Sequence, residues 1–189
     1  MASHIALLRG INVGGRNKVG MAELREVVTS LGHTGVRTYI QSGNVLFSAP
    51  DGDNATLAAA LQAAIAAAFG LEVSVVVLSR DELAWILDRN PHPDEPDPKR
   101  VHVVFLNAEL PPAMLERIKA AEDADAAKGG GTVTVVGPAL YLHTPAGFGD
   151  SKLALALFRI IGKPGQTGVA ATARNWATAT KLLSLCEEK

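Results

Sequence analysis

Short apolar runs alternate with segments of helical periodicity along the first half of the chain. The runs are rich in Val, Ile, Leu and aromatic residues and end at Gly, Asn or Ser, which is typical of strands. They cover residues 4–9, 36–40, 45–48 and 72–78. Apolar residues at helical spacing occupy 21–31, with Gly32 placed as a C-cap. An Ala-rich tract predicts a second helix that Asp53 or Asn54 caps, that runs through Phe69 and that Gly70 ends. This order of strands and helices predicts a ferredoxin-like unit.

The second half repeats much of this order. A short helix is predicted over 81–89, and residues 91–98 hold four prolines, so they predict a connector rather than a helix or a central strand. Strands are then predicted at 101–106, 132–136 and 140–143, and helices at 111–121, 151–161 and 175–185. No fourth strand is evident here. We therefore predict an α+β fold of two β-α-β-β-α repeats, with domains at 1–90 and 99–189.

Composition and charge restrict the class of protein. Apolar residues make up 48% of the 189 positions and charged residues 20%, as in ordinary globular proteins. The one cysteine favours a reducing compartment, and the longest apolar tract (57–69) is too short to span a bilayer, so we expect a cytoplasmic protein without a membrane anchor. Net charge is +3 over residues 1–37, −8 over 38–151 and +4 over 152–189. The basic ends suit an anionic ligand, although chance clustering on solvated helices explains them equally well.

One edge of the first repeat is predicted to carry a site. In the antiparallel order of such a unit, the loop after the first strand and the hairpin between the second and third strands lie at the same end. That edge combines exposed amides with polar and basic side chains ahead of a helix N-terminus, which suits an anion. The candidate ligand-binding residues are Arg9, Asn12, Gly14, Gly15, Arg16, Asn17, Lys18, Gln41, Ser42 and Asn44.

Structural explanations compete with this hypothesis. The Gly14-Gly15 pair is equally what a turn with positive φ requires, and Gly43-Asn44 suits a tight hairpin. Arg9 closes a strand and is equally suited to a structural ion pair.

No catalytic, metal or cofactor motif is evident. The predicted edge contains no His, Asp, Glu or Cys, and the chain has no P-loop. The five histidines lack metal-ligand spacing, so we expect no metal and no cofactor. An enzyme would need an acid or base from another segment, such as Tyr39, Glu109 or Asp150.

Several motifs carry a family resemblance. They are Ala6–Gly15 with Met21 and Leu24-Arg25, Thr38–Asn44, Ser151-Lys152-Leu153, and Thr172–Trp176 with Lys181-Leu182. Together they resemble the bacterial domain-of-unknown-function 1697 family across nearly the whole chain. The resemblance implies two ferredoxin-like repeats with strands exchanged between them into one unit, and it implies no established activity. Many relatives have a polar residue such as Asn after Trp176, where this chain has Ala177; a ligand contact made there would be lost.

The last of these motifs is interpreted as the start of the final helix. Thr172 and Asn175 are suited to capping it, and Trp176 to packing in the core. Arg174 would place a cation at a helix start, where an anion or a carboxylate would have to meet it, so Arg174 joins the candidate ligand-binding residues.

Four functions remain in competition. The leading hypothesis is a binding module for a small anionic ligand, either a nucleotide or a phosphorylated metabolite, at residues 9–18 and 41–44. Binding of single-stranded nucleic acid is second, although aromatic residues make up only 5% of the chain. An enzyme of unknown reaction and a purely structural or oligomeric role complete the set. The oligomeric state is left open.

Overall fold

The structure, a computed structural model, describes residues 1–50, 52–127, 130–162 and 167–188. These residues form eight strands and six helices, in an α+β arrangement with two four-stranded antiparallel sheets. The chain divides into two compact units. Unit 1 consists of Met1–Ala84 with Lys181–Lys189, and unit 2 of Trp85–Thr180.

Unit 1 holds the first sheet, whose strand order is β2-β3-β1-β4 with antiparallel pairing throughout. Its elements are β1 (His4–Leu8), α1 (Met21–Ser30), β2 (Thr34–Tyr39), β3 (Asn44–Ser48), α2 (Asn54–Phe69), β4 (Val75–Ser79) and the first half of α3 (Arg80–Asp88). These bounds confirm the predicted elements to within three residues at each end.

Unit 2 holds the second sheet, in the order β6-β7-β5-β8, again antiparallel. Its elements are β5 (Val101–Leu106), α4 (Pro112–Ala126), β6 (Thr132–Val136), β7 (Ala139–His143), α5 (Lys152–Ile161), β8 (Ala171–Asn175) and the first part of α6 (Trp176–Glu187). Strand β8 corrects the prediction that this half lacks a fourth strand.

The core of unit 1 lies between its sheet and helices α1 and α2. Side chains two residues apart on β1, β3 and β4 face the helices, because successive residues of a strand point to opposite faces. They pack against apolar side chains of both helices, and the buried set includes Ala6, Leu8, Val45, Phe47, Val75, Val77, Leu24, Val28, Leu61 and Ile65. In α2, the predicted caps are confirmed: Asp53 accepts a hydrogen bond from the Thr56 amide (2.9 Å), and Gly70 adopts φ +65°.

The expected exchange of strands is not observed in the described residues. Each sheet consists of strands that are consecutive in sequence, because β8 fills the edge that the prediction left open. Its sequence, Ala-Thr-Ala-Arg-Asn, has one β-branched residue and no aromatic residue, so propensity does not reveal it.

The proline-rich segment 91–98 lies within unit 2. Its Glu95 carboxylate lies 2.7 Å from Nε2 of His143 on β7, and the ring of His92 stacks on that of His143 at 4.7 Å. The segment is therefore attached to its own sheet by side-chain contacts.

The C-terminal segment from Lys181 completes unit 1. The backbone carbonyl of Cys186 accepts a hydrogen bond from the Ala2 amide (3.1 Å), and Leu182 and Cys186 are both fully buried. Unit 1 therefore depends on residues that lie about a hundred positions beyond Ala84 in the chain.

We predict that a fragment of residues 1–98 will not melt cooperatively on its own. It lacks the segment from Lys181, so apolar surface that this segment covers is exposed to water. Circular dichroism melts, with and without an added peptide of residues 176–188, check this, and the peptide should restore a cooperative transition. A monomeric fragment that melts cooperatively without the peptide would contradict the prediction.

Two glycines with the same backbone conformation should differ in their tolerance of a side chain. Gly43 and Gly15 both have φ +75°, but a Cβ at Gly43 would lie 2.7 Å from Leu8 Cβ, whereas nothing lies within 4 Å at Gly15. Gly15→Ala should cost about 1–3 kcal/mol through backbone strain alone. Gly43→Ala should add about 1–3 kcal/mol of overpacking. Urea denaturation measures both, and equal losses would show that the close approach to Leu8 is unimportant.

Candidate functional site

The loop between β1 and α1 folds back on itself as a small hairpin. The Asn12 amide donates to the Asn17 carbonyl and the Arg16 amide to the Val13 carbonyl, both at 3.0 Å. The two glycines at its tip, Gly14 and Gly15, have φ +58° and +75°. Positive φ at both central residues is the signature of a type I′ turn, which confirms the conformation that the glycine pair predicted. Val13 and Arg16 consequently lie opposite each other.

The side chain of Asn12 joins this loop to the turn between β2 and β3. Its Oδ1 accepts from the Val19 amide (2.9 Å), and its Nδ2 donates to the carbonyls of Val19 (3.0 Å) and Gln41 (3.1 Å). The predicted proximity of the two segments is therefore confirmed. Because both polar atoms of the amide bond to backbone, Asn12 acts here as a structural tie between the segments.

The other two asparagines of the predicted site also bond to the protein itself. Asn17 Nδ2 donates to the Gly10 carbonyl (3.0 Å). Asn44 is fully buried, and its Nδ2 donates to the Tyr39 carbonyl (3.0 Å) and to Ser42 Oγ (2.9 Å). These two side chains stabilise the edge through hydrogen bonds within the protein. Sequence patterns do not distinguish this structural role from direct contact with a ligand.

The cations of the edge differ in exposure. Arg16 and Lys18 are exposed, and within the described residues neither side chain forms an ion pair. Arg9 is half-buried, and burial lowers the pKa of its guanidinium. The solvent-facing positive charge of this edge therefore comes from Arg16 and Lys18.

A surface depression lies between the small hairpin and the N-terminus of α1. Its lining residues are Asn12, Gly15, Lys18, Val19, Gly20, Glu23 and Gln41. Gly20 occupies the N-cap position and provides no side chain to bond the first amides of α1. Those amides and the positive end of the helix dipole suit an anion, although Glu23 Oε2 already lies 3.1 Å from where a Cβ on Gly20 would be. Glu23, in the first turn, brings a negative charge to the same depression.

Three residues of this edge were missed by sequence reasoning. The sequence pattern assigned Glu23 only to a helix, although an acidic residue in the first turn of a helix lies near any ligand bound at that helix N-terminus. Val13 and Ile40 are 65% and 51% exposed. Ile40 also has φ +48°, which is uncommon for a β-branched residue. No sequence signal marks this conformation.

Arg174 lies in β8, not at the start of a helix, which corrects its predicted position. Its side chain is 8% exposed, and Nη1 donates to Thr172 Oγ1 (2.8 Å) and to the Ala173 carbonyl (2.7 Å). Burial lowers the pKa of Arg174 to about 10. It belongs to unit 2, and these bonds are internal to its strand.

The start of α6 confirms one predicted cap and corrects the other. Asn175 Oδ1 accepts from the Thr178 amide (2.8 Å), whereas Thr172 is a buried residue of β8. Trp176 is half-buried, with its ring 6.3 Å from that of Tyr141, and Ala177 is exposed.

Two features are absent from the described residues. No cluster of three or more His, Cys, Asp or Glu is arranged to hold a metal ion in the part of the chain that the structure describes. Across the same residues, no helix combines the length and the apolar character needed to cross a membrane.

Comparison with known proteins assigns this α+β chain to a protein family whose description states no activity. The chain belongs to the family described as "Protein of unknown function (DUF1697)", whose model matches residues 1–137, and this confirms the resemblance. It is similar to a solved structure described as that of the conserved bacterial protein SP0830 from Streptococcus pneumoniae. Identity is 26%, the match covers 98% of this chain and 99% of that one, and the TM-score is 0.73. Comparison with curated proteins gives no significant match.

Loss of the Asn12 side chain should loosen the edge. We predict that Asn12→Gly, which tolerates the observed φ of +54°, costs about 2–3 kcal/mol because three hydrogen bonds are lost. Asn12→Asp keeps the acceptor for the Val19 amide, but it turns a carboxylate oxygen towards the carbonyls of Val19 and Gln41 and should cost at least as much. Urea denaturation of the two variants checks this; a clearly smaller loss for Asn12→Asp would show that the two donated bonds contribute little.

Proposed function

We propose that this protein binds a small anionic ligand, a nucleotide or a phosphorylated metabolite, at the edge formed by residues 9–18 and 41–44. The observation that carries the proposal is the pair of exposed cations, Arg16 and Lys18, on a loop that Asn12 fixes to Gln41. No carboxylate within the described residues pairs with either cation, so a phosphate would meet them without displacing an internal partner.

The proposed contacts divide into a frame and a binding surface. Asn12, Asn17 and Asn44 form the frame, because their side chains bond within the protein. The binding surface consists of Arg16, Lys18, the Gln41 side chain and the first amides of α1. Lys18 and the N-cap residue Gly20 of α1 line one depression, with Arg16 on the adjoining hairpin, so a phosphate there would meet both charge and hydrogen-bond donors.

Glu23 sets the strength of this binding. Its carboxylate lines the same depression as Lys18 and repels an anion there. Affinity should therefore be moderate and should fall with added salt, because exposed charges are screened over about 8–10 Å at ordinary ionic strength.

We also propose that the two sheets belong to two ferredoxin-like repeats. Each half has the order β-α-β-β-α-β, and each sheet places its first and third strands at the centre. This order supports the placement of the loop after β1 beside the turn between β2 and β3, on which the proposed site depends.

Single-stranded nucleic acid is the second candidate ligand. The observation in its favour is that two apolar side chains of this edge are exposed: Val13, on the loop that carries Arg16 and Lys18, and Ile40, just before Gln41. Apolar surface beside basic side chains allows bases to pack while phosphates pair with the cations.

We predict that the double variant Arg16→Ala with Lys18→Ala keeps its stability within about 0.5 kcal/mol, since exposed loop residues contribute little to folding. It should lose at least tenfold in affinity for whichever anion binds the wild type, because charge-assisted hydrogen bonds are removed. Thermal-shift screening with pyrophosphate, ADP, a sugar phosphate and a short oligonucleotide, followed by calorimetry, measures both.

Glu23→Gln provides the matched control, because it removes the opposing charge and should raise affinity. If an anion stabilises the wild type and the double variant equally, the site lies elsewhere. If no anion binds the wild type, the small hairpin is a structural turn and the proposal fails. Binding of the oligonucleotide alone, with a steep salt dependence, would favour the second candidate.

A further inference from the structure

His33, at the turn between α1 and β2, is a buried histidine without hydrogen-bond partners. Its side chain is 6% exposed, and within the described residues neither Nδ1 nor Nε2 has a partner. A neutral imidazole always carries one N–H and one lone pair. Burial removes both ring nitrogens of His33 from their hydrogen bonds with water, and the described residues provide no new partner. This loss reduces the free energy of unfolding, and the surrounding packing must offset it.

Phe47 of β3 is the aromatic contact of this ring. The centroids of His33 and Phe47 are 4.7 Å apart, and the ring of His4 on β1 stacks on the same Phe47 at 5.7 Å. Three rings from β1, β3 and the α1–β2 turn therefore pack together. We call this group, His33, Phe47 and His4, the ring cluster.

The charged groups around the cluster oppose a proton on His33. Burial lowers the pKa of His33 from its ordinary value of 6.5, and the nearby His4 lowers it further. Burial also lowers the pKa of His4, which the Glu82 carboxylate on α3 partly offsets. Glu82 acts on His4, whereas the influences on His33 that the described residues supply are burial and His4, both of which oppose a proton. Attraction between a protonated ring and Phe47 works in the other direction, but it is smaller than the effect of burial.

We propose that the ring cluster is an acid-sensitive latch, which holds the α1–β2 turn against the sheet while His33 is neutral and releases it when His33 takes up a proton. His33 is 6% exposed and packs against Phe47, and among the described residues no acceptor lies within hydrogen-bond distance of either ring nitrogen, so the second N–H of an imidazolium would gain no partner there. The protonated ring is therefore better accommodated when the turn opens and exposes it to solvent. Local opening of one turn is less costly than unfolding of the whole unit.

The direction of the pH effect follows from linkage. The folded protein binds the His33 proton less well than the open or unfolded chain, where the histidine titrates near 6.5. The stability that the neutral ring contributes is therefore complete above pH 6.5. It is lost as the pH falls below 6.5 towards the lowered pKa of the folded state, and it levels off below that value.

Hydrogen exchange on the full-length chain at pH 7.5 and pH 5.0, corrected for intrinsic rates, tests the latch. Amides of residues 28–36 should lose protection at pH 5.0, by up to tenfold for each pH unit between 6.5 and the folded-state pKa of His33. His33→Phe and His33→Leu remove this titrating ring but keep His4, so they should lose most of the acid-dependent change and keep only the part that His4 causes. Two variants are used so that a packing defect in one does not decide the result.

His102 on β5 provides the control, since it is a half-buried histidine of unit 2 whose pKa burial lowers to about 4. His102→Phe should leave the acid response of residues 28–36 unchanged. NMR titration of the wild-type His33 ring gives an independent reading that needs no variant. A folded-state pKa at or above 6.5, or an acid response of undiminished size in both His33 variants, would overturn the proposal.

Discussion

The pairing of β1 on both of its sides is the constraint on which the rest of unit 1 depends. Its residues Ile5 to Leu8 are almost fully buried, and the strand is hydrogen-bonded to β3 on one side and to β4 on the other. Since both pairings are antiparallel, the end of β1 must lie beside the turn that precedes β3. The Leu8 amide donates a hydrogen bond to the Gly43 carbonyl at 2.8 Å. A Cβ on Gly43 would lie 2.7 Å from Leu8 Cβ, so the two backbones are too close for a side chain at position 43.

Sequence patterns predicted the elements that bury continuous apolar surface. The strands around Val45 and Val103 are short apolar runs, and α2 is an Ala-rich tract between Asp53 and Gly70, because buried elements select apolar residues. Strand β8 escaped because an edge strand needs apolar residues on one face only, and small alanines supply that face here. Its omission agreed with the exchange of strands that the family resemblance implied, so the two expectations were wrong together.

The candidate site was predictable as a location but not in its details. Strand order alone brings residues 9–18 and 41–44 together, and a glycine pair in a loop indicates a turn. The direction in which an asparagine side chain points was not predictable from the sequence. Asn12 and Asn44 bond inward, whereas Lys18 remains exposed, and no local sequence pattern separates these outcomes because each depends on backbone groups from another segment.

The contribution of the segment from Lys181 to unit 1 has a consequence for how the protein is made. A ribosome delivers the chain from its N-terminus at about 5–20 residues per second, and domains generally fold as they emerge. Unit 1 must wait for residues that are synthesised after all of unit 2. For several seconds the nascent first sheet therefore lacks the segment from Lys181 that completes unit 1. Unit 2 is then able to finish folding before unit 1, although unit 1 begins earlier in the chain.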